Sequence, residues 1–256
     1  MKAVRAAWLA LLVSALSAQT TNVSDFLATA RKQVQIADFR AVGHLVAIDA
    51  SGARTSFPVT IKAHWFPGLL RIFVDLGQPP STHRDLREHI LLEMRPGGEN
   101  TIHIADPGDS AAHLLPFDKW NSHSLGPGFD YEDFFEQQYF WPTQSSGGKV
   151  KFGARDCDVI ESKPGATDKT HYADVKIWVD PSIGFPVYME KTVKESGTVK
   201  EFTSYGIRKE QGQWSAHQVE AKVRGKAGST LLIFDRGSVK ANLTAADFSP
   251  AQMTHF

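Results

Sequence analysis

The chain has 256 residues, 42% of them hydrophobic, and its 28 basic and 28 acidic side chains balance to a formal net charge of zero. That balance excludes a nucleic-acid surface, which calls for a strong excess of Lys and Arg, and it gives no basis for docking on anionic lipid. The single cysteine, Cys157, excludes an intrachain disulfide, and no disulfide-linked partner is expected.

The first eighteen residues read as an export signal. Lys2 and Arg5 precede the apolar run Ala6–Leu16, and small residues follow, with cleavage expected after Ser17 or Ala18. The run is shorter than the roughly 20 residues that cross a bilayer, and no cysteine stands at the cleavage point to take a lipid anchor. The expectation is a soluble, periplasmic protein whose mature part, 19–256, forms one domain. Loss of Lys2 and Arg5 leaves it slightly acidic.

Ser24 to Ala37 reads as an amphipathic helix, with Ser24 as N-cap, Asp25 in the first turn and Phe26, Ala30, Val34 and Ala37 along one stripe. Strand patterns follow from Phe39 to Ile48 and from Ser56 to Trp65, where Phe57, Val59, Ile61, Ala63 and Trp65 share a face. Leu70, Ile72, Val74 and Leu76 then alternate with Arg71, Phe73 and Asp75. Further strands are predicted at Ile90–Met94 and Thr101–Ala105, and after residue 148 at Ala154–Glu161, Tyr172–Val179, Val187–Lys194, Val199–Arg208, Gln213–Val223 and Thr230–Val239. Tight turns join them, without helical crossovers, which is the pattern of an antiparallel meander of about ten or eleven strands. The tail reads as short capped turns, Thr244 with Asp247 and then Ser249-Pro250.

One stretch, about 109–148, interrupts this pattern and is long enough to suggest a functional loop or lid. Within it Phe129–Trp141 reads as a short helix in which Asp130 and Asp133 form a capping box. Asp130, Glu132, Asp133 and Glu136 read as capping groups on a solvated acidic face. Aromatics fill the gaps where a calcium loop would need glycine and oxygen ligands.

Patterns for catalysis are missing: there is no G-x-S-x-G, H-E-x-x-H, C-x-x-C or phosphate loop. The segment Ser145-Ser-Gly-Gly-Lys149 lacks the upstream glycine and the following Ser or Thr of a phosphate loop. The histidines form no tight ligand pair; His83 and His89, and His113 and His123, are too widely spaced, with His113/His123 in the loop the better of the two. Cys157 lies between Asp156 and Asp158, which are not the bases or cations that activate a thiol, so it reads as a small buried packing residue. No catalytic residue, metal or cofactor is expected. The remaining clue is aromatic: Trp65, Phe73, Phe134, Phe135, Phe140, Trp141 and Trp178 either fill one core or line an apolar cavity between a curved sheet and the lid. Trp178 shares a strand face with Asp174, Lys176 and Asp180 and needs a cover, from another element or from a ligand.

Gly128-Phe-Asp-Tyr-Glu-Asp-Phe134, Tyr172-Ala-Asp-Val-Lys-Ile-Trp-Val-Asp180, Phe185-Pro-Val-Tyr-Met-Glu-Lys191 and Val199-Lys-Glu-Phe-Thr-Ser-Tyr205 together resemble the LolA/LolB-like superfamily, close to its outer-membrane lipoprotein-sorting branch. The resemblance implies a mainly β (α+β) fold, an incomplete antiparallel β-barrel with a helical lid over an apolar face. It also implies a binding or carrier protein for lipoprotein acyl chains or another lipid, with a membrane protein of the inner or outer membrane as a further partner. Arg40, Arg54 and Arg71 are the candidates for that family's lid-locking arginine. The alternatives are a lipid or lipoprotein sensor acting through a protein partner, and, with least support, a hydrolase built on scattered carboxylates and histidines.

Overall fold

A computed structural model describes residues 22–80, 85–121, 124–210 and 213–256. The expected export signal, His83 and His123 lie outside the described residues. Helix α1 (Val23–Gln35) starts two residues earlier than the Ser24 cap predicts, because the Asn22 side chain accepts the Ser24 backbone N–H at 3.0 Å. Its buried side holds Phe26, Ala30 and Val34 of the predicted stripe together with Leu27, whereas Ala37, the fourth, lies beyond the helix end at Gln35.

Strand β1 (Asp38–Ile48) pairs with β2 (Arg54–Phe66), followed by β3 (Leu69–Leu76), β4 (Glu88–Met94), β5 (Thr101–Ala105) and the short β6 (His113–Leu114). The region after β6 holds two small strands, β7 (Ser124–Gly126) and β8 (Phe129–Asp130), then two 3₁₀ turns at Tyr131–Phe134 and Gln137–Phe140. The chain returns to the sheet as β9 (Thr143–Phe152), β10 (Arg155–Lys163), β11 (Tyr172–Asp180), β12 (Phe185–Val193) and β13 (Val199–Tyr205). A small hairpin, β14 (Arg208–Glu210) and β15 (Gln213–Ser215), precedes β16 (Gln218–Val223) and β17 (Ser229–Ser238), and a 3₁₀ turn (Ala245–Phe248) and helix α2 (Pro250–Met253) end the chain. Two expectations are corrected. The strands outnumber the ten or eleven predicted, partly because β9 begins within the stretch read as a helical insertion; its exposed Ser-Ser-Gly-Gly edge carries no hydrophobic alternation to mark it. The Phe129–Trp141 segment forms 3₁₀ turns instead of one helix, although the Asp130/Asp133 capping box is present.

Thirteen strands form one antiparallel sheet in the order β6-β5-β4-β3-β2-β1-β17-β16-β13-β12-β11-β10-β9. Among the described residues its ends, β6 and β9, do not pair with each other, so the sheet is not closed into a barrel. Its curvature follows from a reach argument. Tyr131 and Glu132 are adjacent, yet the Tyr131 hydroxyl donates to Glu88 on β4 at 2.7 Å, while Glu132 accepts the His171 backbone N–H just before β11 at 3.0 Å. In a flat sheet β4 and β11, eight steps apart, would be separated by roughly 38 Å. One dipeptide touches both only because the sheet wraps around it. A single core accordingly joins Ile90 and Leu92 of β4 to Val175 and Ile177 of β11.

The outer face carries a second, smaller core in which Phe73 and Leu91 lie beneath Leu243, Phe248 and Met253 of the tail. The Thr244/Asp247 capping box holds that cover in place, as the sequence predicts. Among the described residues no helix is long and apolar enough to cross a membrane.

Candidate functional site

Between the inner face of the sheet and the Phe129–Gln138 segment lies an apolar cavity of about 100 Å³. Phe39 and Ile61 line it from β1 and β2, Met189 and Phe202 from β12 and β13, Leu232 and Phe234 from β17, and Phe134 and Phe135 form its roof. On the other side of the same turn is a larger, mixed compartment of about 670 Å³, with Leu45, Phe57, Leu76 and Ile104 on its walls and Glu88 and Tyr131 beside them. The Tyr131–Phe134 turn is the partition between the two.

Buried charge holds this partition down. Asp133 accepts from the Lys191 ammonium at 3.0 Å, the Lys200 ammonium at 2.9 Å, the Tyr172 hydroxyl at 2.6 Å and the Asp130 backbone N–H at 2.9 Å. Lys200 also donates to Asp130 at 2.5 Å. The Asp133 side chain is fully buried, and those of Lys191 and Lys200 are nearly so. Burial alone would raise the Asp133 pKa, but the two ammonium groups and the Tyr172 hydroxyl outweigh it and hold the carboxyl down to about 2. Lys191 further lies over the rings of Tyr172 and Phe202, at 5.1 and 4.8 Å. Asp130 goes the other way, raised to about 6 by burial and by the negative charge of Asp133, against the pull of Lys200.

Glu132 is anchored just as fully: it accepts from Thr170, from the His171 backbone and from Gln137, which in turn takes a hydrogen bond from Asn100 at 2.8 Å. The expectation of a solvated acidic face is therefore corrected for Asp130, Glu132 and Asp133. They are buried because the two lysines, Tyr172 and the residues ahead of β11 supply donors that water would otherwise supply. The sequence carries a signal for this. Lys191 and Lys200 fall at the inward parity of their strands, in step with Met189 and Phe202, where a lysine needs a buried acid as partner.

The seven aromatic candidates separate. Phe134 and Phe135 line the apolar cavity. Trp141 is buried in the main core with its indole N–H unpaired, and Trp65 and Phe140 pack against that core. Phe73 faces the outer core, since its parity is opposite to that of Ile72 and Val74. Trp178 meets the Tyr188 ring edge-on at 4.8 Å, and Phe152 of β9 stacks on Tyr188 at 4.7 Å, so protein side chains provide its cover. Cys157 is buried, as expected, and burial pushes its thiol up to about 11. Arg71 pairs with Glu93 at 2.8 Å while Arg40 and Arg54 are exposed; the cations that pair with the acidic turn are Lys191 and Lys200. Among the described residues no group of His, Cys, Asp and Glu is arranged to hold a metal.

Several solved structures share this architecture. A domain described as outer membrane lipoprotein-sorting, from Vibrio parahaemolyticus, superposes with a TM-score of 0.77 at 18% identity, covering 91% of this chain and 99% of that one. A DUF1329 family protein from Desulfovibrio piger gives 0.76 at 16% identity, with 92% and 100% covered. A LolA superfamily protein from Nitrosomonas europaea gives 0.67 at 15% identity, with 91% and 100% covered. No curated protein matches the chain. The resemblance read from the sequence thus holds for the fold, a LolA-like one. A family model described as "Uncharacterized protein" matches residues 119–255, more than half of the chain, and the chain belongs to that family.

Proposed function

We propose that this is a periplasmic binding or carrier protein for acyl chains, those of a lipoprotein or of another lipid, and that it works without catalysis. The observation that carries the reading is the apolar cavity roofed by Phe134 and Phe135 and walled by the inner face of the sheet. The fold shared with a domain described as lipoprotein-sorting supports it. Burying acyl CH₂ groups is worth about 0.8 kcal/mol each, so a chain of roughly 16 carbons left in water costs about 13 kcal/mol. A carrier across an aqueous space has to supply that shelter.

At about 100 Å³ the cavity is smaller than the roughly 300–1,000 Å³ typical of small-molecule sites. An acyl chain therefore requires the Tyr131–Phe134 turn to move, which would join the cavity to the larger compartment behind it. The test is native mass spectrometry of protein purified without detergent, with Ser204→Phe beside the wild type. Ser204 lines the cavity from β13, and a ring there fills the space while leaving the ionic anchors intact. Acyl lipid bound near one per chain, and lost in Ser204→Phe, supports the proposal. A wild type that stays empty when offered lipids and a triacylated peptide overturns it.

A further inference from the structure

The ionisable groups around the apolar cavity are Asp133, Glu136, Tyr188 and Lys191, with the buried Tyr139 close behind Glu136. All but one of the four lining groups are committed. Asp133 and Lys191 bind each other at 3.0 Å, and the Tyr188 hydroxyl donates to Glu190 at 3.0 Å on the outer side. Glu136 lines the cavity, is partly buried, and has no hydrogen-bond partner among the described residues. A partly buried carboxyl that faces an apolar cavity with no protein partner is placed to meet the polar group of a ligand.

The chemistry of the surroundings narrows that partner. Asp130 and Asp133 already offset Lys191 and Lys200, so among the described residues that line the cavity no uncommitted cation remains to neutralise a carboxylate at Glu136. Burial pushes its carboxyl up to about 8, and Lys191 offsets only part of that rise. At neutral pH the group is a carboxylic acid with an O–H to donate. The walls around it are almost entirely hydrocarbon.

We propose that Glu136 is the polar anchor of this cavity, donating a hydrogen bond to the carbonyl oxygen of an ester- or amide-linked acyl ligand. Neutral acyl esters and amides are then preferred over anionic amphiphiles, which meet no uncommitted cation, and over cationic ones, which would bury a new ion pair. The inference rests on the lipid-binding reading and goes beyond it by naming the linkage recognised.

The test compares methyl dodecanoate with dodecyl methyl ether, matched in shape but lacking the carbonyl, and with dodecylamine. Binding is measured at pH 6 and pH 9.5 to the wild type, Glu136→Gln and Glu136→Leu, each checked for an intact thermal transition. The wild type is expected to favour the ester over the ether about fivefold or more at pH 6 and to lose that preference at pH 9.5. Glu136→Gln, whose amide N–H₂ donates at any pH, keeps the preference at both. Glu136→Leu shows it at neither; if Glu136→Leu fails to fold, the contrast between wild type and Glu136→Gln at pH 9.5 decides. A preference that is flat with pH in the wild type, or one that persists in Glu136→Leu, overturns the proposal. So does dodecylamine binding more tightly than the ester. If the wild type binds none of the three probes, the lipid-binding reading fails with it; if it binds ester and ether equally, only the anchor fails.

Discussion

At the scale of the residue, Asp133 is the centre of the buried charges that hold the 131–134 turn against the sheet. It takes four hydrogen bonds in a fully buried position, and two of the donors are nearly buried ammonium groups, of which Lys200 also reaches Asp130. Asp133→Asn removes the charge that compensates both lysines and leaves one of them buried beside a neutral amide. The expected loss is about 3–5 kcal/mol of stability, the range for breaking a buried pair from one side, read as a drop in urea midpoint with an unchanged slope. Asp156 is the contrast: it pairs with Lys151 at 2.8 Å, but both side chains are largely exposed, so Asp156→Asn should shift stability by under about 1 kcal/mol. Equal losses in the two variants would mean that the lid is not held by charge.

At the scale of the element, Gly128 fixes where the lid turn begins. Its φ of +80° is the left-handed backbone that favours glycine, and an added Cβ would lie 2.6 Å from the Lys222 Cα on β16. Gly128→Ala therefore has to push the start of β8 away from the sheet, at a cost of about 1–3 kcal/mol. The check is hydrogen exchange: amides across 129–141 should exchange faster while those of β2 and β3 do not change. Uniform protection in the variant would separate the turn from its glycine.

The same elements show what the sequence made readable. In β2, β3 and β11 the inner face is apolar and buried, so alternation is strong, and the predicted strands lie within two residues of the observed ones. Strand β9 has no such face: it is an exposed edge built from Ser, Gly and Lys, and nothing in its composition separates it from loop. The acidic turn is a different case. Its capping box is a local pattern and was readable, whereas its burial depends on Lys191, Lys200 and Thr170, which lie 38 or more residues away in sequence. Of the cavity, the aromatic roof at Phe134 and Phe135 could be read in the lid sequence. The contribution of Phe39, Phe202 and Phe234 depends on which strands become neighbours when the sheet wraps.

At the scale of the whole molecule, that wrapping gathers the carboxyls with raised pKa values around one turn. Glu136, at about 8, follows the turn; Asp130, at about 6, begins it; Glu88, pushed up to about 7 by burial and by Asp106, accepts from Tyr131 within it. Each binds a proton more tightly in the fold than in the unfolded chain. Between the unfolded value, near 4, and its own folded value, each makes stability fall as pH rises, by up to about 1.4 kcal/mol per pH unit. Asp133 acts in the opposite sense: its pKa is depressed, so its contribution is complete above the unfolded value and disappears as pH falls toward 2. Asp38, Glu93 and Asp180, also depressed, add to that acid limb. The urea midpoint should therefore peak near pH 4 and decline toward about pH 8, most steeply below pH 6, with Glu136→Gln flattening the decline above pH 7. Because the three raised groups all touch or flank residues 130–136, the alkaline loss should begin there, and limited proteolysis at pH 9 should cut the lid before the sheet. A midpoint that is flat or rising from pH 5 to pH 9 would show that these carboxyls ionise freely. The lid would then be wetter than its packing implies, and the cavity beneath it would already be open to water.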